Sequence, residues 1–561
     1  VLLSIAGVAS WAVADDRQPI GVEFDLQGCI DAQFRAGKQC AVVPPGRYRV
    51  RPQHGRHLFF KGLADKSIVA DGVEMICTQT VRAVGFEDCR NVQLKGLVID
   101  YDPLPIAEAR ITATAPDKSW LEFEIIPGYP DNTLFERIEI YDPATRELRR
   151  TDAPWTKEFQ SLGDHRYRAT KRKGYRYDAQ VDTEQVGDIL VTINQYPAGA
   201  GGHAIQSERC VNLKLEDITV YASPMFGFVE HECDATTYLR CKIDRRTPSD
   251  DPVQRGFPRM RSLSADAFHS VGAVRGPAIL SCTAKFQGDD CVNIHGFYDM
   301  VLASRGRELR VASVSRTPIQ PGEPLEFLPR EGKRPPDAVA KALVPDGPLT
   351  AEERKFLEKL SLYPRHKERL LADQARLFRL TVDREVPLAM GSAVCSGNRV
   401  GNGFAVKDCD FGYNRSRGIL IKASRGEVTG NTITHGWMAA VLVAPEFWWL
   451  ESASSSDVLV ANNKIIGCRR PAIEVAALGG NSKPLPSGAH RQITIQGNTI
   501  TGSVWPNIYV TSTDGLVIRG NRLTPADPSQ MTPPLARRWD WRQDPPQPIV
   551  TLFCDRPQIA P

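Results

Sequence analysis

The chain has 561 residues, 42% hydrophobic and 24% charged, which excludes a largely disordered chain and a coiled coil. With 70 basic against 66 acidic residues the formal net charge is +4, too balanced to make nucleic acid the expected partner. The 44 Gly and 41 Pro exceed the usual combined share of about 12% and point to many turns and few long helices. The length suits two to four average domains, or one long repetitive domain with insertions.

Val1 to Ala14 reads VLLSIAGVASWAVA and is followed by Asp15 and Asp16. An apolar core ending in Ala12-Val13-Ala14 is a small-x-small cleavage pattern, so residues 1–14 are expected to be part of a signal peptide. A periplasmic or secreted location follows from that expectation; the competing reading is a buried N-terminal helix or strand. No stretch has the roughly 20 apolar residues that a membrane-spanning helix needs. The thirteen cysteines are scattered, with no CxxC pair, so a structural zinc site is not expected. Cys29/Cys40 and Cys77/Cys89 are spaced for local disulfides.

Next along the chain comes a recurring frame: an apolar residue, two others, Asn or a small residue, one more, then an apolar residue. It appears at Val428–Ile433, Val460–Ile465, Ile495–Ile500 and Ile518–Leu523, with Asn431, Asn463, Asn498 and Asn521 spaced by 32, 35 and 23 residues. The same frame fits Val406–Phe411 with Cys409, Ile279–Ala284 with Cys282, Tyr238–Ile243 with Cys241, and Val92–Leu97 with Lys95. Such a unit is a short strand, a tight turn and a second short strand. It cannot bury its apolar face alone, but stacked units can. Asn tolerates left-handed backbone angles at the turn, and Cys in the same slot would be a small buried hydrophobe. The expectation is an all-β chain, a right-handed parallel β-helix.

Two stretches break the repeat. Residues 103–200 contain alternating segments such as Trp120–Ile125 and Arg137–Tyr141, which read as antiparallel strands. Residues 299–392 show the same at Glu308–Ala312 and Leu377–Val382, plus one helix that starts with a capping box from Thr350 to Glu353. Both read as inserted small, barrel-like β-domains. The coils then occupy 15–102, 201–298 and 393–524, and the tail 525–561, with Trp539 and Trp541, is expected to cap the last coil.

Between the insertions lies Ser264-Ala-Asp266-Ala-Phe-His269, followed by Gly288-Asp289-Asp290-Cys-Val-Asn293-Ile-His295-Gly296. Asp266 and Asp289 are 23 residues apart, about one coil, which predicts a common face near the strand spacing of about 4.8 Å. Three carboxylates in one patch raise at least one pKa, so an acid and a base can coexist near neutral pH. Hydrolysis of a glycosidic bond requires that division of labour, and single-step inversion asks for about 6.5–9.5 Å between acid and base. Taken singly, Gly-Asp-Asp reads as a solvated turn, an acidic cluster can hold calcium, and His269 or His295 reads as a hydrogen-bonded surface residue. A later coil carries Asn414-Arg-Ser-Arg417-Gly-Ile-Leu-Ile-Lys422. Arg417 and Lys422 read either as a solvated strand edge or as binders of hydroxyl or carboxylate groups.

An Asp, one coil, Gly-Asp-Asp, a nearby His-Gly and an Arg-Gly-Ile-x-Ile-Lys strand together resemble the inverting β-helix glycosidases. The outline is shared with the polygalacturonases of glycoside hydrolase family 28. The chain is more similar to glycoside hydrolase family 110, the exo-acting α-1,3-galactosidases, in its Asp266 context, its two insertions and its Phe447-Trp-Trp-Leu-Glu451 segment. That resemblance implies Asp289 as general acid, with Asp266 and Asp290 as the bases that activate water. It implies His269, Asn293, His295, Arg417, Lys422, Glu446, Trp448 and Glu451 as substrate binders. Trp448 and Glu451 can equally pack against an inserted domain. Ala267 stands where these families carry Gly, and Lys422 is similar to the uronate-binding lysine of polygalacturonases.

The implied substrate is an oligosaccharide or glycan with terminal galactose. A uronate-active β-helix enzyme and a non-catalytic carbohydrate-binding β-helix are the alternatives. An exo enzyme is expected to have its cleft closed by an inserted domain. No nucleotide- or haem-binding motif is present, so no cofactor and no metal are expected. The oligomeric state is open, a homodimer included.

Overall fold

The structure is a computed structural model and describes residues 20–131, 138–150, 155–175, 182–193, 202–253, 255–525 and 547–560. The expected signal segment 1–14, and Trp539 and Trp541 of the tail, lie outside the described residues.

The backbone is a parallel β-helix. One long face is built by in-register strands, and the residues that stack inward define its core: Val84, Ile205, Phe228, Phe268, Val292, Ile419, Val441, Ile473, Ile508 and Ile549. Phe228 and Phe268 stack with ring centroids 5.0 Å apart and planes 4° from parallel. Period-2 alternation then turns Gln206, Val229, His269, Asn293, Leu420 and Leu442 outward along one row of the same face. The site is built on this face.

A second long sheet folds at a tight corner once per coil, and the repeat frame found in the sequence is that corner. Each unit places a left-handed residue just before the slot, such as Arg240, Ser281, Asp408 and Asn462. The slot residues point inward and bond from coil to coil. Cys409 Sγ accepts the Cys282 N–H at 3.4 Å, and Asn431 Oδ1 accepts the Cys409 N–H at 3.0 Å. Asn463 Oδ1 accepts the Asn431 N–H, Asn498 Oδ1 that of Asn463, and Asn521 Oδ1 that of Asn498, each at 3.0 Å. Lys95 does not occupy this slot. Strand pairing aligns Gln93-Leu94-Lys95 with Lys214-Leu215-Glu216, so the left-handed corner is Gly96 and the slot is the buried Leu97. A repeat without Asn or Cys gave the sequence frame nothing to lock onto.

All thirteen cysteines are free, including Cys29, Cys40, Cys77 and Cys89. A second ladder explains Cys89: Cys210 donates its N–H to Cys233 Sγ at 3.4 Å, and all three thiols are buried at an adjacent corner, each after a left-handed residue (Asp88, Arg209, Glu232).

Both insertions leave one coil and return to the next. Lys214–Glu216 resumes parallel pairing with the strand Arg90–Tyr101, and Ile419–Ile421 with Val292–Phe297. The first insertion is a seven-stranded antiparallel sheet; its end strands, Leu148–Arg150 and Trp155–Gly163, are not paired with each other among the described residues. The second is a closed six-stranded barrel. Its helix Ala351–Lys359 carries the expected capping box, with Glu353 N–H donating to Thr350 Oγ1 and Thr350 N–H to Glu353 Oε2. A second helix, Pro364–Leu371, follows it. Among the described residues, a helix without a counterpart in the repeat pattern, Leu26–Arg35, follows the short strand Val22–Glu23; it is capped by Asp25 and buries Leu26 and Ile30 against the first coil. The described tail adds to the stack instead of wrapping it: Ile549–Leu552 pairs in parallel with Ile508–Thr511.

Candidate active site

Asp266, Asp290 and Arg417 each stand two residues before an in-register strand of three successive coils, so they line one corner of the stack. Ala267 N–H donates to Asp290 O at 2.9 Å, and Cys291 N–H to Arg417 O at 3.1 Å. The residue in register with Asp266 is therefore Asp290, 24 positions on. The expected partner, Asp289, is one residue out of phase. Its side chain turns outward and is 32% exposed, while Asp266 and Asp290 are 5% and 2% exposed. The closest oxygens of all three carboxylates lie within 4.8 Å of one another, shorter than the acid–base span of about 6.5–9.5 Å.

Burial, with the Asp289 charge adding to it, pushes the Asp266 carboxyl well above the usual carboxylate range. Burial does the same to Asp290 against the pull of Arg417. The hydrogen bonds decide which of the two holds the proton. Gly296 O can only accept, so His295 Nδ1 carries a hydrogen and donates to it at 2.7 Å. Burial pushes both His295 and His269 down to about 4, so both are neutral at pH 7 and His295 Nε2 is an acceptor. His269 Nε2, 3.2 Å away, is then the donor. That leaves His269 Nδ1 as an acceptor, 2.6 Å from Asp266 Oδ2. Asp266 is the donor in this last bond and is held protonated. The hydrogen-bond and ion-pair partners of Asp290 are donors: the Arg417 N–H at 2.8 Å from Oδ1 and the Arg417 guanidinium 3.1 Å from Oδ2. Arg417 thus favours the ionised form of Asp290 against the burial and the neighbouring carboxylates that raise it.

The remaining residues form a second tier. The segment Phe447–Trp449 turns back, and Glu451–Ser452 pairs antiparallel with Gly296–Phe297, which carries Glu446 and Glu451 over the outward row. Lys422 Nζ lies 2.8 Å from Glu451, 3.2 Å from Glu446 and 3.0 Å from Asn293 Oδ1. Its side chain is 0% exposed, so it offers no surface to a ligand and acts on the site through the two glutamates. Burial alone would raise Glu451, but the charge and hydrogen bond of Lys422 favour its ionised form and hold it well below the usual carboxylate range. Arg417 also bridges to Glu446 at 3.0 Å. Gly418 beside it is required, because a Cβ there would sit 2.4 Å from Ala440 O. Asn293 and His295 are covered, and their partners are Lys422, Glu451, His269 and the Gly296 carbonyl. Trp448 packs edge-on against Trp449 and Tyr363 of the barrel domain, yet stays 40% exposed. The Ala267 methyl is fully buried.

The chain is similar to several known proteins. Residues 388–526 match the family model described as "Right handed beta helix region". The Alpha-1,3-galactosidase A of Bacteroides fragilis is 21% identical over 549 residues, covering 89% of this chain and 84% of the relative. The Alpha-1,3-galactosidase B of Bacteroides thetaiotaomicron is 21% identical over 570 residues, covering 92% and 86%. The chain is thus similar to α-1,3-galactosidases over most of its length. Among solved structures, the catalytic domain of a GH87 alpha-1,3-glucanase superposes with a TM-score of 0.40 at 7% identity, covering 96% of this chain and 68% of that one. A family 28 exopolygalacturonase of Yersinia enterocolitica gives 0.38 at 8%, covering 92% and 73%; both scores are too low to carry residue equivalences.

Two further residues of the chain reach the trio. Asn414 Nδ2 donates to the Asp289 carbonyl at 3.0 Å and to Arg417 O at 2.6 Å, fixing the Asp289 backbone. Arg415 Nη1 lies 3.5 Å from Asp289 Oδ2. Both stand in the Asn414–Lys422 segment that the sequence singled out, where attention fell on its Arg417 and Lys422.

Proposed function

We propose that the protein is a glycoside hydrolase that removes terminal α-1,3-linked galactose from glycans with inversion, and that it works in the periplasm or outside the cell. The observation that carries the reading is the division within the trio: one outward carboxyl above two recessed ones, in a chain similar over most of its length to α-1,3-galactosidases. In this reading Asp289 gives its proton to the glycosidic oxygen as that bond breaks. Asp290 takes a proton from a water whose oxygen bonds the anomeric carbon from the opposite face. Asp266 keeps its own proton and holds Asp290 through the Asp290 N–H, 3.2 Å from Oδ1.

Inversion rests on the likeness of the motif to the inverting β-helix glycosidases; the closest carboxyl oxygens lie within 4.8 Å of one another, nearer than the about 6.5–9.5 Å of an inverting pair, and the anomer released decides the stereochemistry. The second tier supports a neutral sugar, because Lys422 is buried and ion-paired and has no charge to offer a uronate. Contacts from both insertions support attack on a chain end: Glu139 meets Arg415 from one side and Tyr363 meets Trp448 from the other. The export proposal rests on the Ala12-Val13-Ala14 pattern.

The test is proton NMR of the purified protein with α-1,3-linked galactobiose, alongside polygalacturonate. β-Galactose appearing first from the disaccharide supports the proposal. α-Galactose first would replace inversion by retention. Cleavage of polygalacturonate alone would overturn the substrate, and inertness to both would favour a binding protein or another α-linked sugar.

A further inference from the structure

The first inserted domain is tied to the carboxylate trio by a chain of charges. Strand Ile138–Tyr141 lies within its antiparallel sheet, with Glu139 in register with Val191. Ile138 and Ile140 take one face of that strand, so Glu139 and Tyr141 take the other. Glu139 is fully buried, an unusual place for a carboxylate unless it is paired. Its partners are the equally buried Arg261, which comes from the segment leading to Asp266, the Tyr141 hydroxyl, which donates to Oε2 at 3.3 Å, and Arg415, whose Nε lies 3.1 Å from Oε1. The other end of the Arg415 fork reaches Asp289 at 3.5 Å.

Resting on the assignment of Asp289 as proton donor, we propose that Glu139 and Arg415 are positioning residues for that donor, so that the first inserted domain belongs to the catalytic apparatus. The geometry gives them two effects. The guanidinium plane fixes the direction of the outward carboxyl, while Asn414 fixes its backbone. Glu139 meanwhile compensates the Arg415 charge. Asp266, Asp290, Arg417 and His269 also interact electrostatically with Asp289, and both substitutions below leave them in place.

The test compares Glu139→Gln, Arg415→Gln and the double variant, reading kcat and KM separately on the disaccharide. Arg415→Gln is expected to lower kcat by roughly 10- to 100-fold, with KM little changed, as misdirection of one reacting group does. Arg415→Lys should restore part of that kcat, and Glu139→Gln should lower kcat by less than Arg415→Gln does. The double variant should show the kcat loss of Arg415→Gln, because Glu139 reaches Asp289 through Arg415; its separate pairing with Arg261 is read as stability by urea unfolding. If Glu139→Gln fails to fold, Arg415→Gln and Arg415→Lys decide, since Arg415 is at the domain boundary and partly exposed. An Arg415→Gln kcat equal to the parent's overturns the proposal. So does an equal effect of Glu139→Gln with and without Arg415. Carbodiimide labelling of Asp289, followed by peptide mass spectrometry, reads the placement of its carboxyl without substrate. A protein inert to galactosides whose Asp289 labelling rate changes in Arg415→Gln would sink the galactosidase reading and leave this link standing.

Discussion

Arg417 holds Asp290 from two directions at once, donating its backbone N–H to Oδ1 at 2.8 Å and placing its guanidinium 3.1 Å from Oδ2. One coil back, Asp266 occupies the same corner but meets a histidine acceptor instead of donors. Two carboxyls equivalent in the fold are thus made unequal in chemistry by their neighbours.

That inequality predicts unequal mutants. In Asp266→Asn the new NH2 can donate to His269 Nδ1 while the remaining oxygen still accepts the Asp290 N–H, so the protonated acid is mimicked. In Asp290→Asn the NH2 confronts donors and the base is lost. Asp289→Asn removes the proton donor. Loss of a general base or acid costs about 10²- to 10⁴-fold in kcat. Asp290→Asn and Asp289→Asn are expected in that range, and Asp266→Asn within about tenfold of the parent. Equal losses at Asp266 and Asp290 would mean that Asp266 works ionised and that the histidine relay is misread.

Lys422→Met is expected to act on stability. The substitution keeps the volume but leaves Glu446 and Glu451 without the cation between them, and breaking a buried pair this way costs about 3–5 kcal/mol. Urea unfolding should show that loss, and adding Glu451→Gln should recover part of it. A Lys422→Met protein of parental stability with weakened sugar binding would return Lys422 to the role of a ligand contact.

Why Lys422 misleads in the sequence is a physical matter. Arg-Gly-Ile-Leu-Ile-Lys shows that the side chain points out of the coil, and it does. What covers it is a hairpin some 29 residues later, whose antiparallel pairing to Gly296–Phe297 no repeat pattern announces. The Asp289/Asp290 doublet was equally visible as a cluster, but its phase was not. A coil of 24 residues instead of 23 moves the in-register position from one aspartate to the next. Glu139 was legible only as one residue of an alternating strand. Its link to Arg415 joins positions far apart in the chain, a relation local patterning does not encode. The Asn slots were read correctly because period, residue type and turn geometry agree there.

The free thiols make a simple prediction. All thirteen cysteines are unpaired, and most are packed as small apolar groups at coil corners. Reducing agent should leave the melting temperature unchanged, and the denatured protein should titrate thirteen thiols without prior reduction. A drop in melting temperature with reductant, or a deficit of two thiols, would restore a Cys29–Cys40 or Cys77–Cys89 bridge.

The Asn ladder should show a gradient of cost from its middle to its end. Asn463 Oδ1 accepts both the Asn431 N–H and Asn431 Nδ2, and its own Nδ2 donates to Val428 O and Asn498 Oδ1, all at 2.9–3.0 Å. Asn431 is fully buried, so Asn463→Ala strands two of its N–H donors where water cannot replace the lost acceptor. A cost of about 2–4 kcal/mol is expected. Asn521 ends the ladder and is only partly buried, so water can take over its bonds and Asn521→Ala should cost about 1 kcal/mol or less. Asn463→Cys should fall between them, since the Cys409 thiol already accepts a backbone N–H in the same slot two coils earlier. Urea unfolding of the three variants decides the order. Equal losses at Asn463 and Asn521 would show that the ladder stabilises by turn conformation alone, with no contribution from the coil-to-coil bonds.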